Sequence, residues 1–455
     1  MTTVENPPSQ VLGSLIGPGP SPPAVSPLTR GVAWARRAVH ADSDTASVTR
    51  QGLWVLVGLI GVSVLGFGFW ALAARLFSHD AVGIAASLVS LSTFGATLAI
   101  VGFDLGILRF ASGELHPRRL IRTILLVTGL SAATVGVALP LGVLAINHVD
   151  SGLLGPLVGL GLALTVWTVW SFVTNGVFLA ASKAHVSSSL LLVYGVLKIV
   201  LLVALVSTGV VGLFAAYTLP LLLLVVISFL LIPRYWPAEN PKGTHHSLWE
   251  VATFSAGNWI SYSGISLPNL SGPALVLTVY GAPSAAYFFL AFQLAEVLNY
   301  GADAFAKSLL THGSRENYLS RSLLSRVRTR VYLVLVPLVV AGLFAAPTLG
   351  FLVGGPGLAA HALPIQLFLL ATLPRSFYQI LTAQFNVDRR PMAVALCGAT
   401  YGILTFGGFV VSLLFRVNEN LLPTAWILGG IGAVIVGLYL VRRAPELPRA
   451  APSAP

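Results

Sequence analysis

The chain has 455 residues, of which 56% are hydrophobic and 9% charged, with a formal net charge of +11. Soluble domains carry about 25% charged residues, so this deficit excludes an ordinary water-soluble globule and implies a polytopic membrane protein. The positive charge does not point to nucleic acid, because the basic residues sit in short clusters between apolar runs, as membrane topology requires.

Residues 1–50 place Pro7, Pro8, Pro18, Pro20, Pro22, Pro23 and Pro27 among Gly and Ser. That composition cannot support a packed core and predicts a disordered cytoplasmic tail. Within it, RGVAWARRAVH (30–40) is predicted as a short interfacial helix, with Trp34 at headgroup depth and Arg36 and Arg37 on anionic lipid. A span needs about 20 mostly apolar residues. Twelve such segments follow, near 53–76, 82–108, 120–146, 153–180, 186–207, 211–232, 249–279, 284–306, 330–353, 358–383, 392–415 and 421–441. Gly61, Gly66, Gly68, Pro140, Pro220, Pro268, Pro273, Pro337, Pro364 and Pro374 lie inside them and predict kinks or close helix contacts.

Sorted by loop parity, Arg75 and Arg416 fall on one side, Lys198 and Arg375 within spans, and every other Lys and Arg on the opposite side. The positive-inside rule then puts both termini in the cytoplasm. The outer connections are short (77–81, 147–152, 208–210, 280–284, 354–358, 416–420), so no extracytoplasmic domain is expected. The longest inner connection, 307–330, is predicted as a basic amphipathic segment on the cytoplasmic leaflet. Cys397 is the sole cysteine and lies in an apolar segment, so no intramolecular disulfide exists.

The two halves echo each other. LWVLVGLIGVSVLGFGFWAL (53–72) and LWEVATFSAGNWISYSGISL (248–267) open each half, and each is followed by a span closing in G-x-D plus a cation. These closures are GFDLGILRFAS (102–112) and GADAFAKSLL (301–310). Six spans per half is even, so the repeats are parallel, related by an axis along the membrane normal. The predicted organisation is a tail (1–50), a first six-helix bundle (51–235), a cytoplasmic linker (236–248), a second bundle (249–443) and a tail (444–455).

GFGFWALAARLFSHDAVGIAASL (66–88), followed by GFDLGILRFAS, resembles the start of Wzx-type bacterial polysaccharide flippases, with Arg75, Gly102, Asp104 and Arg109 carrying the match. These belong to the multidrug/oligosaccharidyl-lipid/polysaccharide exporter (MOP) superfamily. The topology resemblance covers residues 50–443, the motif resemblance only about the first 60 of these. It implies an all-α fold of twelve transmembrane helices in two pseudo-symmetric six-helix bundles around a central cavity, working by alternating access. It also implies a bacterial cytoplasmic-membrane location, a lipid-linked anionic glycan as substrate, and polysaccharide assembly proteins as partners.

Ionisable residues inside spans are expensive and usually face the bundle interior. Lys198, near the middle of its span, reads either as a cavity cation for a diphosphate or as a structurally paired lysine. Arg375, following Pro374, is the other deep cation; with Lys198 it predicts a cationic cavity. Gln293, Glu296, Asn299 and Asp303 recur at helical spacing on one face. Glu296 either pairs with a cation or titrates to couple H⁺ or Na⁺ flow to export. Asp303 and Lys307 form an i, i+4 pair; with Asp104 and Arg109 they are expected to lock the inner gate. Asn175 in the fourth span, and Asn258, Tyr262 and Asn269 in the seventh, are candidate polar cavity residues or helix glue.

No G-x-x-x-x-G-K-[ST] is present, which argues against an ATP-driven pump. No His/Cys cluster has metal-ligand spacing; His245 and His246 are read as solvated loop residues, and no cofactor is expected. The short outer loops argue against a glycan polymerase or another enzyme. The main competing function is an ion-coupled multidrug or organic-cation antiporter of the same superfamily, which would want an acidic cavity.

Overall fold

The computed structural model describes residues 43–316, 321–388 and 390–443. The predicted interfacial helix at 30–40 lies outside the described residues. Among those described, thirteen α-helices run in chain order. The first half holds α1 (Ser43–Leu76), α2 (His79–Ile100), α3 (Phe103–Phe110), α4 (Pro117–Ile146), α5 (Ser151–Ala180), α6 (Ala184–Ala204) and α7 (Gly209–Tyr235). The second half holds α8 (Leu248–Tyr280), α9 (Ala282–Glu316), α10 (Arg321–Ala360), α11 (Ala362–Val387), α12 (Pro391–Leu414) and α13 (Thr424–Arg442). These are the twelve predicted spans, with the second divided between α2 and α3. Among the described residues, nine helices are long and apolar enough to cross a membrane by length and composition alone. The other long helices, α8, α9 and α11, carry the polar residues singled out above.

Two expectations change. The second span is not one helix: Val101 (φ 49°) and Gly102 (φ 74°) both adopt the left-handed conformation and separate α2 from α3. Its counterpart α9 runs through Gly301 as continuous helix. The inner connection 307–330 is largely absorbed by the ends of α9 and α10, which reach Glu316 and resume at Arg321.

Small residues let the helices approach closely. In the first half α1 meets α6, with Gly58 against Ser188, Gly61 against Leu192 and Gly195 against Leu65. In the second half the equivalent pair, α8 and α12, meet at Gly264, Gly398 and Gly402. Pro268 withholds its backbone donor from the Gly264 carbonyl, and a Cβ at position 402 would stand 2.5 Å from that oxygen. Helix α4 packs on α5 as α10 does on α11, α5 on α7 as α11 on α13, and α6 on α7 as α12 on α13. The halves therefore repeat the same neighbour scheme, as parallel pseudo-symmetry requires.

Helix α2 is the hub between the halves, packing on α8 and α9 as well as on α4, α5 and α7. Gly83 comes so close to Ala282 that a Cβ would meet its carbonyl at 1.9 Å, and Ser87 Oγ donates to the Pro273 carbonyl at 2.9 Å. At the predicted outer end, Arg75 Nη2 donates to the carbonyls of Phe351 and Leu352, both at 2.7 Å. Asn147 Nδ2 donates to Thr278 Oγ1 at 3.2 Å. The first joins spans one and nine, the second spans three and seven, a symmetry-related pair of ties.

At the predicted inner end, the linker after α7 is clipped to the first half by Glu114. This carboxylate is 1% exposed and accepts from the His246 backbone N–H (2.9 Å), the His116 N–H (3.4 Å) and His245 Nδ1 (3.2 Å). An isolated parallel bridge joins Glu114 to Thr244, and Asn240 N donates to the Leu115 carbonyl at 2.7 Å. His245 is solvated, as expected, while also contacting Glu114; His246 is half-buried and anchored through its backbone, which corrects the expectation for that residue.

Two outcomes are expected. Gly402→Val should lower thermal stability in detergent by about 1–3 kcal/mol through overpacking against α8, whereas Gly68→Ala, with nothing within 4 Å of its added Cβ, should not. Burial pushes the Glu114 carboxyl up, but the three donors more than offset it and hold it below its ordinary 4.5. A depressed folded-state value contributes stability that is present above the unfolded value and lost as pH falls through the folded one. Protection of the Thr244 and His246 amides against exchange should therefore be high at neutral pH and fall in acid as the Glu114 carboxylate protonates; in Glu114→Gln it should already be low at pH 7.

Candidate functional site

The deep charges fall into two separate centres, one in each half. In the second half, Arg375 of α11 and Glu296 of α9 form a buried ion pair: Nη1 contacts Oε1, and Nη2 donates to Oε2 at 3.4 Å. Their side chains are 14% and 9% exposed. Asn299, one turn beyond Glu296, is also buried and donates through Nδ2 to Oε1 at 3.1 Å. Its own Oδ1 is buried without a partner among the described residues. Tyr378, three residues after Arg375, stacks on buried Tyr401 of α12 with ring centroids 5.7 Å apart. Gln293 is half-buried on α9.

This pairing has a simple origin. Glu296 and Asn299 are i, i+3 on α9, and the packing of α9 on α11 brings Arg375 opposite them. A bidentate guanidinium–carboxylate contact lets each charge compensate the other where water cannot.

The first-half centre is different. Lys198 of α6 is 2% exposed, and among the described residues it has no hydrogen bond or ion pair. Its ammonium sits among three aromatic rings, with Nζ 5.1 Å from the centroid of Tyr194, 5.1 Å from Tyr217 and 5.5 Å from Phe69. Tyr194 precedes Lys198 by one turn on α6; Tyr217 comes from α7 and Phe69 from α1. Tyr194 Oη donates to the Tyr217 carbonyl at 3.2 Å, which fixes the cage. Gly66 of α1 lies directly beside the ammonium: a Cβ there would stand 3.7 Å from Nζ, at ordinary van der Waals contact. The GFGF stretch (66–69) thus supplies one wall of the cage, Phe69, and a small neighbour of the ammonium, Gly66. Cation–π contacts are worth about 2 kcal/mol or more each when desolvated. The effective penalty for burying an ion is several kcal/mol, so the cage offsets part of that cost and leaves the buried ammonium without an anionic partner among the described residues.

The G-x-D motif acquires a local explanation. Gly102 takes φ 74° and lies so close to α8 that a Cβ would meet the Ser255 carbonyl at 2.8 Å, so both backbone conformation and space demand glycine. The break creates a new helix N-terminus with Asp104 in its first turn and Arg109 in its last. Those are the placements that complement a helix dipole, each worth about 0.3–1 kcal/mol. Asp104 is half-buried; Arg109 is exposed, its guanidinium 5.7 Å from the Phe110 ring centroid. Helix α3 packs on α5 and on α8, at the junction of the halves.

The remaining candidates scatter. Asn175 Oδ1 accepts from Ser187 Oγ at 2.5 Å, and Asn269 Oδ1 accepts from Trp426 Nε1 at 2.7 Å, tying α8 to α13. Tyr262 is 55% exposed. The side chains of Asn258, Asp303 and Lys307 lie outside the described residues. Sequence reasoning missed Tyr194, Tyr217, Phe69 and Glu114. Only Tyr194 carried a readable signal, its i, i+4 spacing to Lys198.

Similarity to solved structures follows this architecture. An inward-facing multidrug resistance MATE family transporter of the MOP superfamily aligns with a TM-score of 0.60 and 17% identity, over 86% of this chain and 94% of that one. The chain has the fold of these transporters. An outward-facing MATE transporter aligns at 0.56 with 16% identity (89% and 96% covered), and the MATE multidrug transporter DinF-BH at 0.60 with 12% identity (89% and 96%). No family model and no curated protein matches the chain. The protein is thus an all-α membrane protein of twelve transmembrane helices in two pseudo-symmetric six-helix bundles.

Removing one partner of the buried pair should cost far more than removing both. Glu296→Gln is expected to destabilise the protein by about 3–5 kcal/mol by stranding Arg375, and Glu296→Gln with Arg375→Gln to recover most of that loss. A double-mutant cycle on thermal unfolding in detergent measures the coupling.

Proposed function

We propose that the protein is an alternating-access transporter of the MOP superfamily that moves a lipid-linked anionic glycan from the cytoplasmic to the outer leaflet, for surface polysaccharide biosynthesis. The observation that carries this reading is Lys198: a buried ammonium with no carboxylate partner among the described residues, flanked by aromatic rings and by Gly66. A diphosphate supplies the missing counter-charge, and aromatic side chains beside it suit a sugar face. In this reading Arg375 contributes when its pairing with Glu296 is exchanged for the substrate phosphate. Glu296, released, becomes the group that accepts H⁺ or Na⁺. The bundles 51–235 and 249–443 move against each other about the linker, with both termini on the cytoplasmic side of the bacterial inner membrane. Asp104, Arg109, Asp303 and Lys307 stabilise the inner end. The polar groups Asn175, Asn258, Tyr262, Asn269, Gln293 and Asn299 serve packing and the cavity wall, and polysaccharide assembly proteins are the partners.

The second reading, an ion-coupled multidrug antiporter, is favoured by the multidrug transporters among the structural neighbours and by a buried carboxylate at Glu296. The two differ in the sign of the ligand. Cells lacking the protein should accumulate lipid-linked oligosaccharide on the cytoplasmic leaflet. Lys198→Met should fail to restore export, by at least an order of magnitude, at normal membrane abundance, and Lys198→Arg should restore it in part. Normal surface glycan in the deletion strain, together with new sensitivity to cationic drugs, would instead establish the antiporter.

A further inference from the structure

A second amphipathic feature lies away from both charge centres, between α10 and α11 towards the predicted inner end. Arg328, Thr329, Tyr332 and Leu333 of α10 and Phe377 of α11 line a groove of about 490 Å³. The pairs Arg328/Tyr332 and Thr329/Leu333 are each i, i+4, so one face of α10 stacks a cation above an aromatic ring and a polar residue above an aliphatic one. The Arg328 guanidinium lies 5.4 Å from the Phe377 ring centroid. The Tyr332 and Phe377 rings are 6.2 Å apart at 60°, and Tyr332 Oη donates to the Leu373 carbonyl at 2.6 Å. The aromatic wall is therefore held in place before anything binds.

The groove opens to the bilayer. Leu333, Val340 and Phe344 recur at i, i+7 and i+11 on one face of α10 and are 72%, 45% and 84% exposed. Such a face belongs against hydrocarbon. Among the described residues no carboxylate pairs with Arg328, and Arg326 and Arg330 beside it are also exposed. One end of the groove thus offers unneutralised positive charge at headgroup level, and the rest offers aromatic and aliphatic walls at acyl-chain level.

We infer that this groove is a binding site for one anionic phospholipid of the inner leaflet, its phosphate on Arg328 and an acyl chain along Tyr332, Leu333 and Phe377. Charge and apolarity are ordered along the groove as they are along the lipid. Basic pockets between transmembrane helices on the cytoplasmic side select anionic headgroups on the same physical grounds. The bound lipid would span the α10–α11 contact, on the helix that carries Arg375 two residues before Phe377.

The test uses the full-length protein in detergent, titrated with phosphatidylglycerol or phosphatidylcholine, with retained lipid counted by native mass spectrometry. The expected result is one preferentially retained phosphatidylglycerol, bound about five-fold more weakly by Arg328→Gln, the order expected for one arginine at a membrane surface. Arg326→Gln, two residues away and off the groove, should change binding by less than two-fold. Arg328 is exposed, so its variant should fold, and an unchanged melting temperature without lipid verifies that. Equal retention by Arg328→Gln and wild type would overturn the inference. So would equal losses in both arginine variants, which would indicate a diffuse basic surface. Displacement of the lipid by inorganic phosphate alone would show a free-anion site and overturn it too.

Discussion

A charge inside a bilayer must be compensated by something other than water, and this constraint orders the interior of the protein. Arg375 and Glu296 compensate each other across α9 and α11, which explains why two ionisable residues persist in the middle of apolar spans. Lys198 has a different compensation: three aromatic faces and no anion among the described residues. The two bundles share a neighbour scheme but not an electrostatic one. In the second, the buried Arg375 and Glu296 neutralise each other, whereas in the first Lys198 has no anionic partner among the described residues.

The same absence of water governs polar groups carried on aromatic rings. Three indole donors find carbonyls on neighbouring helices: Trp170 Nε1 reaches Leu125, Trp259 Nε1 reaches Thr97 and Trp236 Nε1 reaches Val177. The first of these makes Trp170 a tie between α4 and α5. Glycines do the complementary task, permitting backbones to approach where α2 meets the second half. Ties and close approaches together hold the long helices in register without a water-soluble core.

The spans were legible because bilayer thickness imposes a length and a composition that survive in any reading of the chain. The parallel repeat was legible because six is even. The deep charges were legible as anomalies, but their pairing was not: Glu296 and Arg375 are 79 residues apart, and nothing in the local pattern brings α9 against α11. The cage was half legible, since Tyr194 shares a helical face with Lys198, while Tyr217 and Phe69 arrive from other helices. Glu114 was invisible for the same reason, its partners His245 and His246 lying more than 130 residues away. The break at Val101–Gly102 was hidden by hydrophobicity, which continues unbroken through a change of backbone conformation.

That break separates the halves in one further respect. Two left-handed residues interrupt the hydrogen-bond ladder between α2 and α3, while α9 carries its ladder through the equivalent position. The repeat is therefore symmetric in topology and asymmetric in continuity, with an interrupted helix in the first half where it touches α8 and an unbroken one in the second.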